Sequence, residues 1–405
     1  TRKESSAASD VYKRQDTAEA QALQSDKKQA IDALAQARQR VRARTRQLEQ
    51  RARLVRGSAD YWSRVSTAPT GLAGVLVDSL AVEGHTVHPL AKLRRGLSEE
   101  ESTVFGPERG RPIDMRLVAV HRELLDHSST GSVAQELATA FPAHIRAAER
   151  EIRQQHPELW GNFRLIVVHP WQWENIIAKE MASHLDRDIV LITSATIAAY
   201  PTISVRTVVP HAPGPQGQRP FLKSALDVQL TSTRRSMSQN SALGTPQVAL
   251  TIADLVYRVV GNGRTRTVAE KAGIAYREGG PSQESRVTRG LSTLVRGDVR
   301  EVIPSGEFAV SACALRGQPP GEEPPLSAIL RDAPGGAAGF LRQYATDLMG
   351  VALPVMWRFG VAMESHLQNT MVRIAPGHTG PTYAGLVLRD FSGLRILKDL
   401  SLIHI

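Results

Sequence analysis

The sequence has a single cysteine, Cys313, in 405 residues. One thiol excludes an internal disulfide framework and any four-cysteine iron–sulfur or zinc site. No run of about 18 apolar residues occurs, so no transmembrane helix is expected. The N-terminal stretch is polar and lacks the apolar core of a secretory signal, which predicts a cytoplasmic protein. A GxxxxGK(S/T) phosphate loop, zinc-finger spacing and an aromatic RNA-binding signature are all missing, which argues against a P-loop NTPase and against the common nucleic-acid modules. No internal repeat is visible.

What the chain does have is positive charge. Its 50 Lys and Arg against 40 Asp and Glu leave a net +10, which suits anionic partners: nucleotide, polycarboxylate or nucleic acid. Much of the excess lies between Lys27 and Arg56. There Leu34, Val41, Leu48 and Val55 recur every seven residues, with Arg38, Arg40, Arg42, Arg44 and Arg46 between them. This predicts an amphipathic helix with a solvated basic face, with nucleic-acid binding as the alternative. Hydrophobic residues at 41% and charged residues at 22% are ordinary for a globular chain with room for two or three domains or one large enzyme.

The periodicity predicts helices over 16–56, 71–82, 114–126 and 133–155, and a helix over 343–363 interrupted at Pro354. Strands are expected at 164–169, 188–193, 203–209, 225–231, 251–260 and 383–388. The turn Gly261-Asn262-Gly263 is expected to join 251–260 to 266–269 as a hairpin. Residues 5–15 and 401–405 resemble translated sequencing-adapter sequence, so both ends are expected to be foreign and the natural protein longer.

Four segments concentrate chemistry. Residues 84–96, GHTVHPLAKLRRG, set His85, His88, Lys92, Arg94 and Arg95 around a proline-fixed turn, suited to a carboxylate or phosphate. His85 and His88 as a metal pair, or a plain basic surface turn, are the alternatives. Residues 167–174, VVHPWQWE, place His169 at the end of a buried strand, where it either donates to a phosphate or packs in a turn beside Trp171 and Trp173. Thr202, Ser204 and Arg206 alternate, so a strand would show all three on one face. With Thr207, Lys223, Thr231 and Arg235 they make an anion-binding set, since Arg offers bidentate bonds and Lys a point charge. A solvent-facing polar strand is the alternative. Glu364, His366, Gln368 and Asn369, followed by Arg389-Asp390, form the last group. Glu364 and Asp390 are hard oxygen ligands for magnesium beside a phosphate. A helix with Glu364 and Gln368 at i, i+4 competes with a strand or loop edge.

Together these segments resemble the aerobactin-synthetase-like (IucA/IucC) family of siderophore synthetases, which work without a peptide-synthetase assembly line. That family has an HPxxKxRxG element, HPWQ, a TxSxRT strand, a threonine-serine–arginine strand, HxQN and an RD motif. All six occur here in order across about 84–393. Two details depart from the pattern: the loop 210–220 is extended, and Leu367 stands where glycine is common.

The resemblance implies an α+β cupped hand with a helical thumb at 16–160, β-rich fingers at 161–325 and a truncated palm at 326–397. Tails at 1–15 and 398–405 fall outside it. It implies an ATP-dependent ligase that adenylates citrate or a related acid and passes it to an amine or hydroxyl. Magnesium would be held by Glu364 and Asp390. ATP would meet His169, Ser204, Arg206, Thr207, Lys223, Arg235, Gln368, Asn369 and Asp390. The substrate carboxylate would meet His88, Lys92, Arg94, Thr231, Arg235 and His366. Arg235, His366, Thr231 and Lys223 would carry the catalysis. The expected partners are small carboxylic acids and amines, not nucleic acid or a membrane, with a homodimer at full length. The alternatives are a non-catalytic nucleotide- or polycarboxylate-binding fragment and a relative of ferric-siderophore reductases.

Overall fold

A computed structural model describes residues 28, 61–69, 71–81, 93–159, 161–185, 190–230, 233–261, 263–277, 286–317, 323–377 and 380–397. The chain divides into two compact units, Thr1–Ala59 and Asp60–Ile405. Only Lys28, which is helical, is described in the first. The expected basic helix at 16–56 therefore lies outside the described residues, as do the two tails.

The larger unit is α+β, as expected. Its main sheet has eight strands, every neighbour antiparallel. Their order is Leu125–His127, Glu270–Tyr276, Ser292–Arg296, Phe221–Ser224, Thr207–Pro210, Val190–Pro201, Ile113–His121 and Phe163–Val168. The sheet curls until its last strand returns to its third: Thr293 Oγ1 accepts from the Val167 N–H (3.0 Å) and donates to the Val167 carbonyl (2.8 Å). Helices Val133–Ala140 and Pro142–Gln155 bury Val133, Leu137, Ile145 and Ile152 in the core that this sheet shares.

A second sheet runs Thr265–Thr267, Pro381–Leu388, Thr370–Pro376, Phe308–Ser311. It packs with the helices Gln239–Val260 and Gly336–Phe359 around a separate core containing Ile252, Val256, Val351, Val372 and Leu388. A short sheet of Arg94–Arg95, Leu226–Leu230 and Thr233–Arg235 completes what positions the site.

Several expectations are corrected. Residues 114–126 are not a helix: 113–121 is a strand between two others, so Met115, Leu117, Val118, Ala119 and Val120 are all fully buried. A strand covered on both faces loses clean alternation, and its apolar run then passes for a helix. Residues 251–260 are not a strand but the second half of Gln239–Val260. Ser238 caps that helix by accepting the Ser241 N–H (3.1 Å), and Ala242, Ala249, Ile252 and Val256 line its buried face. Its β-branched residues suggest a strand, but burial at helical spacing decides. Gly261, at φ 55°, ends this helix instead of turning a hairpin. The 133–155 helix is broken at Pro142, which lacks an N–H and opens a second helix. Pro354, by contrast, is carried inside Gly336–Phe359.

Candidate active site

The segment 202–206 is a turn, not the expected strand; only Thr207–Pro210 is extended. Its shape comes from its own hydroxyls. Thr202 Oγ1 donates to the Thr207 carbonyl (2.8 Å), and Ser204 Oγ accepts from the Thr207 N–H (3.2 Å). Val205 sits at φ 63°, a conformation that costs a branched residue roughly 1–3 kcal/mol. The hydrogen bonds hold what the local propensity opposes. At the exit of the turn, Arg206 Nη1 donates to the carbonyls of Arg235 (2.8 Å) and Ser236 (3.3 Å), tying the turn to the Thr233–Arg235 strand.

The opposite wall starts from two further segments. Residues 366–369 form a turn in which the Asn369 and Thr370 N–H groups both donate to the His366 carbonyl (2.9 and 3.0 Å). The loop-edge reading of Glu364, His366 and Gln368 therefore holds over the helical one. Arg389 follows the Pro381–Leu388 strand. Its Nε and Nη2 donate to the Gln368 carbonyl (3.3 and 3.0 Å), and its Nη2 also donates to Ser311 Oγ (2.9 Å). Asp390, like Val205, is a non-glycine residue at positive φ, 63°. Thr202, Ser204, Arg206, Thr207 and Arg235 line one cleft with Glu364, His366, Gln368, Asn369 and Asp390, joined by Arg296, Arg389 and Ser392.

Below the cleft lies a buried charge network. Asp390 Oδ1 accepts from Lys223 Nζ (2.7 Å) and Ser392 Oγ (2.9 Å), and Arg296 Nη2 is 3.6 Å from Oδ2. Burial favours the neutral acid, but Lys223, Arg296 and Arg206 outweigh it and hold the Asp390 carboxyl well below its usual range. Lys223 is 2% exposed, and burial pushes its ammonium down to about 8 even with Asp390 beside it. Burial also pushes Arg206 down to about 10, still a cation at neutral pH. Arg296 meets Glu270 in a fully buried pair, with Nε and Nη2 donating to Oε1 at 2.9 and 2.7 Å. Glu270→Gln would leave that guanidinium half-compensated. The expected loss is about 3–5 kcal/mol in denaturant unfolding. A loss below about 1 kcal/mol would show that Asp390 alone suffices.

Other expected residues are placed elsewhere. His169 is fully buried and caps the 170–172 turn: its Nδ1 accepts the Trp171 N–H (3.2 Å). Burial pushes this imidazole down to about 3, so it is neutral, and its Nε2 has no partner among the described residues. Arg94 donates to the Ser102 carbonyl (2.6 Å) and pairs with Glu108 (3.1 Å), bracing 94–108 instead of facing the cleft. Its strand pairs with Leu226–Leu230, which leads into the Arg235 hairpin. His85, His88, Lys92 and Thr231 lie outside the described residues.

Glu364 is exposed, and its carboxylate lies over Gly393, where a Cβ would collide with it. Among the described residues no three His, Cys, Asp or Glu gather as a metal cage. Magnesium bound through one or two carboxylates, phosphate oxygens and water needs none. The ionised Asp390 and the nearby Glu364 suit that regime. Arg296, Glu270 and Ser392 are site residues that sequence reasoning misses. The one signal is a charge closing the apolar strand Ser292–Arg296.

The profile of the IucA / IucC family matches residues 75–317, more than half of the chain. The chain belongs to the IucA / IucC family. Among curated relatives it is 26% identical to D-ornithine–citrate ligase of Staphylococcus aureus, over 79% of this chain and 50% of that protein. It is 24% identical to staphyloferrin A synthase of the same organism, over 79% and 52%. The chain thus spans about half the length of these relatives. Among solved structures, petrobactin biosynthesis protein AsbB of Bacillus anthracis aligns with a TM-score of 0.68 at 22% identity, covering 80% of this chain and 54% of that one. ATP-bound aerobactin synthetase IucA of Klebsiella pneumoniae aligns at 0.64 and 20%, covering 88% and 62%. These likenesses establish a shared fold.

Proposed function

We propose that this chain carries the ATP- and acid-binding site of a siderophore synthetase that adenylates citrate or a citrate derivative and condenses it with an amine or hydroxyl. One observation carries the reading: four arginines, Arg206, Arg235, Arg296 and Arg389, line a single cleft. Family relatives named for citrate ligation and for bound ATP support it.

The chemistry requires such a cleft because two anions must meet. A carboxylate oxygen attacks the α-phosphorus of ATP, the bond to the β-phosphate breaks, and pyrophosphate leaves. The amine or hydroxyl then attacks the acyl carbon, AMP departs, and the nucleophile gives up its proton. Arg206 and Arg235, tied to one another through the 202–207 turn, offset charge on the phosphates. Ser204 and Thr207 would orient them. Arg235 and His366 would hold the acid. Gln368 and Asn369 would bond the nucleotide. Magnesium on Glu364 and Asp390 would neutralise phosphate charge. Fixing the reactants in line adds to the rate in its own right.

Isothermal titration of the chain with Mg-ATP and with citrate tests the reading. Saturable ATP binding that is lost in Arg206→Ala is expected; no binding at all would contradict it. Because the chain spans half of its relatives' length, binding without turnover marks a non-catalytic fragment. Affinity for inorganic triphosphate is expected to fall as pH rises through about 8, where Lys223 becomes neutral. Lys223→Arg is expected to remove that dependence. An unchanged pH profile would remove Lys223 from the anion site.

A further inference from the structure

Asp78 is 125 residues from Ile203 in sequence, yet it touches the 202–206 turn of the cleft wall. It ends the short helix Ala73–Asp78 and is 3% exposed. Its Oδ2 accepts the Ile203 N–H at 3.2 Å, inside the turn whose neighbour Val205 is at positive φ. Gly74 allows the helix this close: a Cβ there would stand 2.9 Å from the Ala309 carbonyl on the Phe308–Ser311 strand. That strand ends in Ser311, whose hydroxyl accepts from Arg389, and the same guanidinium holds the Gln368 carbonyl on the opposite wall. Burial raises the Asp78 pKa, while Arg389, Ser311 and the Ile203 amide favour its carboxylate.

We propose that Asp78 is a positioning residue: its buried carboxylate fixes the 202–206 turn and, with Arg389, sets that turn against the 366–369 turn. A turn amide donating to a buried carboxylate is a directional restraint that apolar packing alone does not supply. The functional consequence rests on the nucleotide reading above. If Ser204, Arg206 and Thr207 orient phosphates, losing Asp78 weakens phosphate binding and spares contacts to the nucleoside.

The test compares Asp78→Ala and Asp78→Asn with the unsubstituted chain, titrating Mg-ATP and adenosine separately. Asp78→Ala is expected to weaken ATP at least about tenfold, as losing a charged hydrogen bond does, with adenosine within about twofold. Asp78→Asn retains an acceptor for Ile203 and is expected to recover part of the loss. Equal weakening of both ligands, or no change in either, overturns the proposal. Amide hydrogen exchange, which needs no ligand, separates this from failure of the nucleotide reading. Exchange at 202–207 is expected to rise at least about tenfold in Asp78→Ala, and unchanged exchange overturns the brace even if the chain binds no ATP. Should Asp78→Ala fail to fold, Gly74→Ala shifts the helix with the carboxylate retained and is expected to raise the same exchange; unchanged exchange there overturns the brace too.

Discussion

Arg235→Ala is expected to abolish acid-dependent AMP formation in an intact synthetase of this family carrying this site, a loss of about 10²–10³-fold or more, as when one preorganised donor is taken from a charge-stabilising site. Arg235 lies on the cleft wall and its carbonyl anchors Arg206. The substitution removes the guanidinium but keeps that carbonyl, so the turn stays tied and the effect isolates the charge. ATP affinity should fall far less than turnover, since Arg206, Arg296 and Arg389 remain on the wall. Burial lowers the Arg235 pKa, yet Asp390 and Glu364 favour its charged form. Near-normal AMP release would remove Arg235 from the reaction.

Asp390→Ala is expected to cost about 3–5 kcal/mol of stability, because it leaves Lys223 and part of Arg296 as buried charges without their anion. Denaturant unfolding measures this. The pH dependence has a definite sign. The folded Asp390 titrates well below its ordinary value, so its contribution is present above the unfolded pKa of about 3.9 and is lost as pH falls through the folded one. Acid unfolding of the native chain should thus extend to lower pH than that of the variant. Superimposable acid transitions would show that the pair gives no net stabilisation.

Much of the cleft is legible in the amino-acid sequence. Ser204, Arg206, Thr207, Arg235, Glu364, His366, Gln368, Asn369 and Asp390 share one wall system. Polar residues of these types, so spaced, suit no apolar core, and their order matches a family pattern. Their backbone is not legible in the same way. Thr202, Ser204 and Arg206 alternate as in a strand, and a valine at 205 argues against positive φ; side-chain hydrogen bonds within the segment, joined by long-range ones to Asp78 and Arg235, make that turn. Arg296 and Glu270 are 26 residues apart, and nothing local marks two charges that will be buried together. His169 and Arg94 show the converse. A histidine before proline, or an arginine in a basic run, has the same sequence whether it caps a turn, braces a loop or meets a ligand. Strand 113–121 reads as a helix because a central strand is apolar on both faces.

The most direct test of the adenylation account is ³¹P NMR of Mg-ATP incubated with the enzyme, citrate and an amine, each omitted in turn. AMP and pyrophosphate appearing only when the acid is present is the predicted result. Acid-dependent ADP and phosphate would contradict the account, as would ATP cleavage indifferent to the acid.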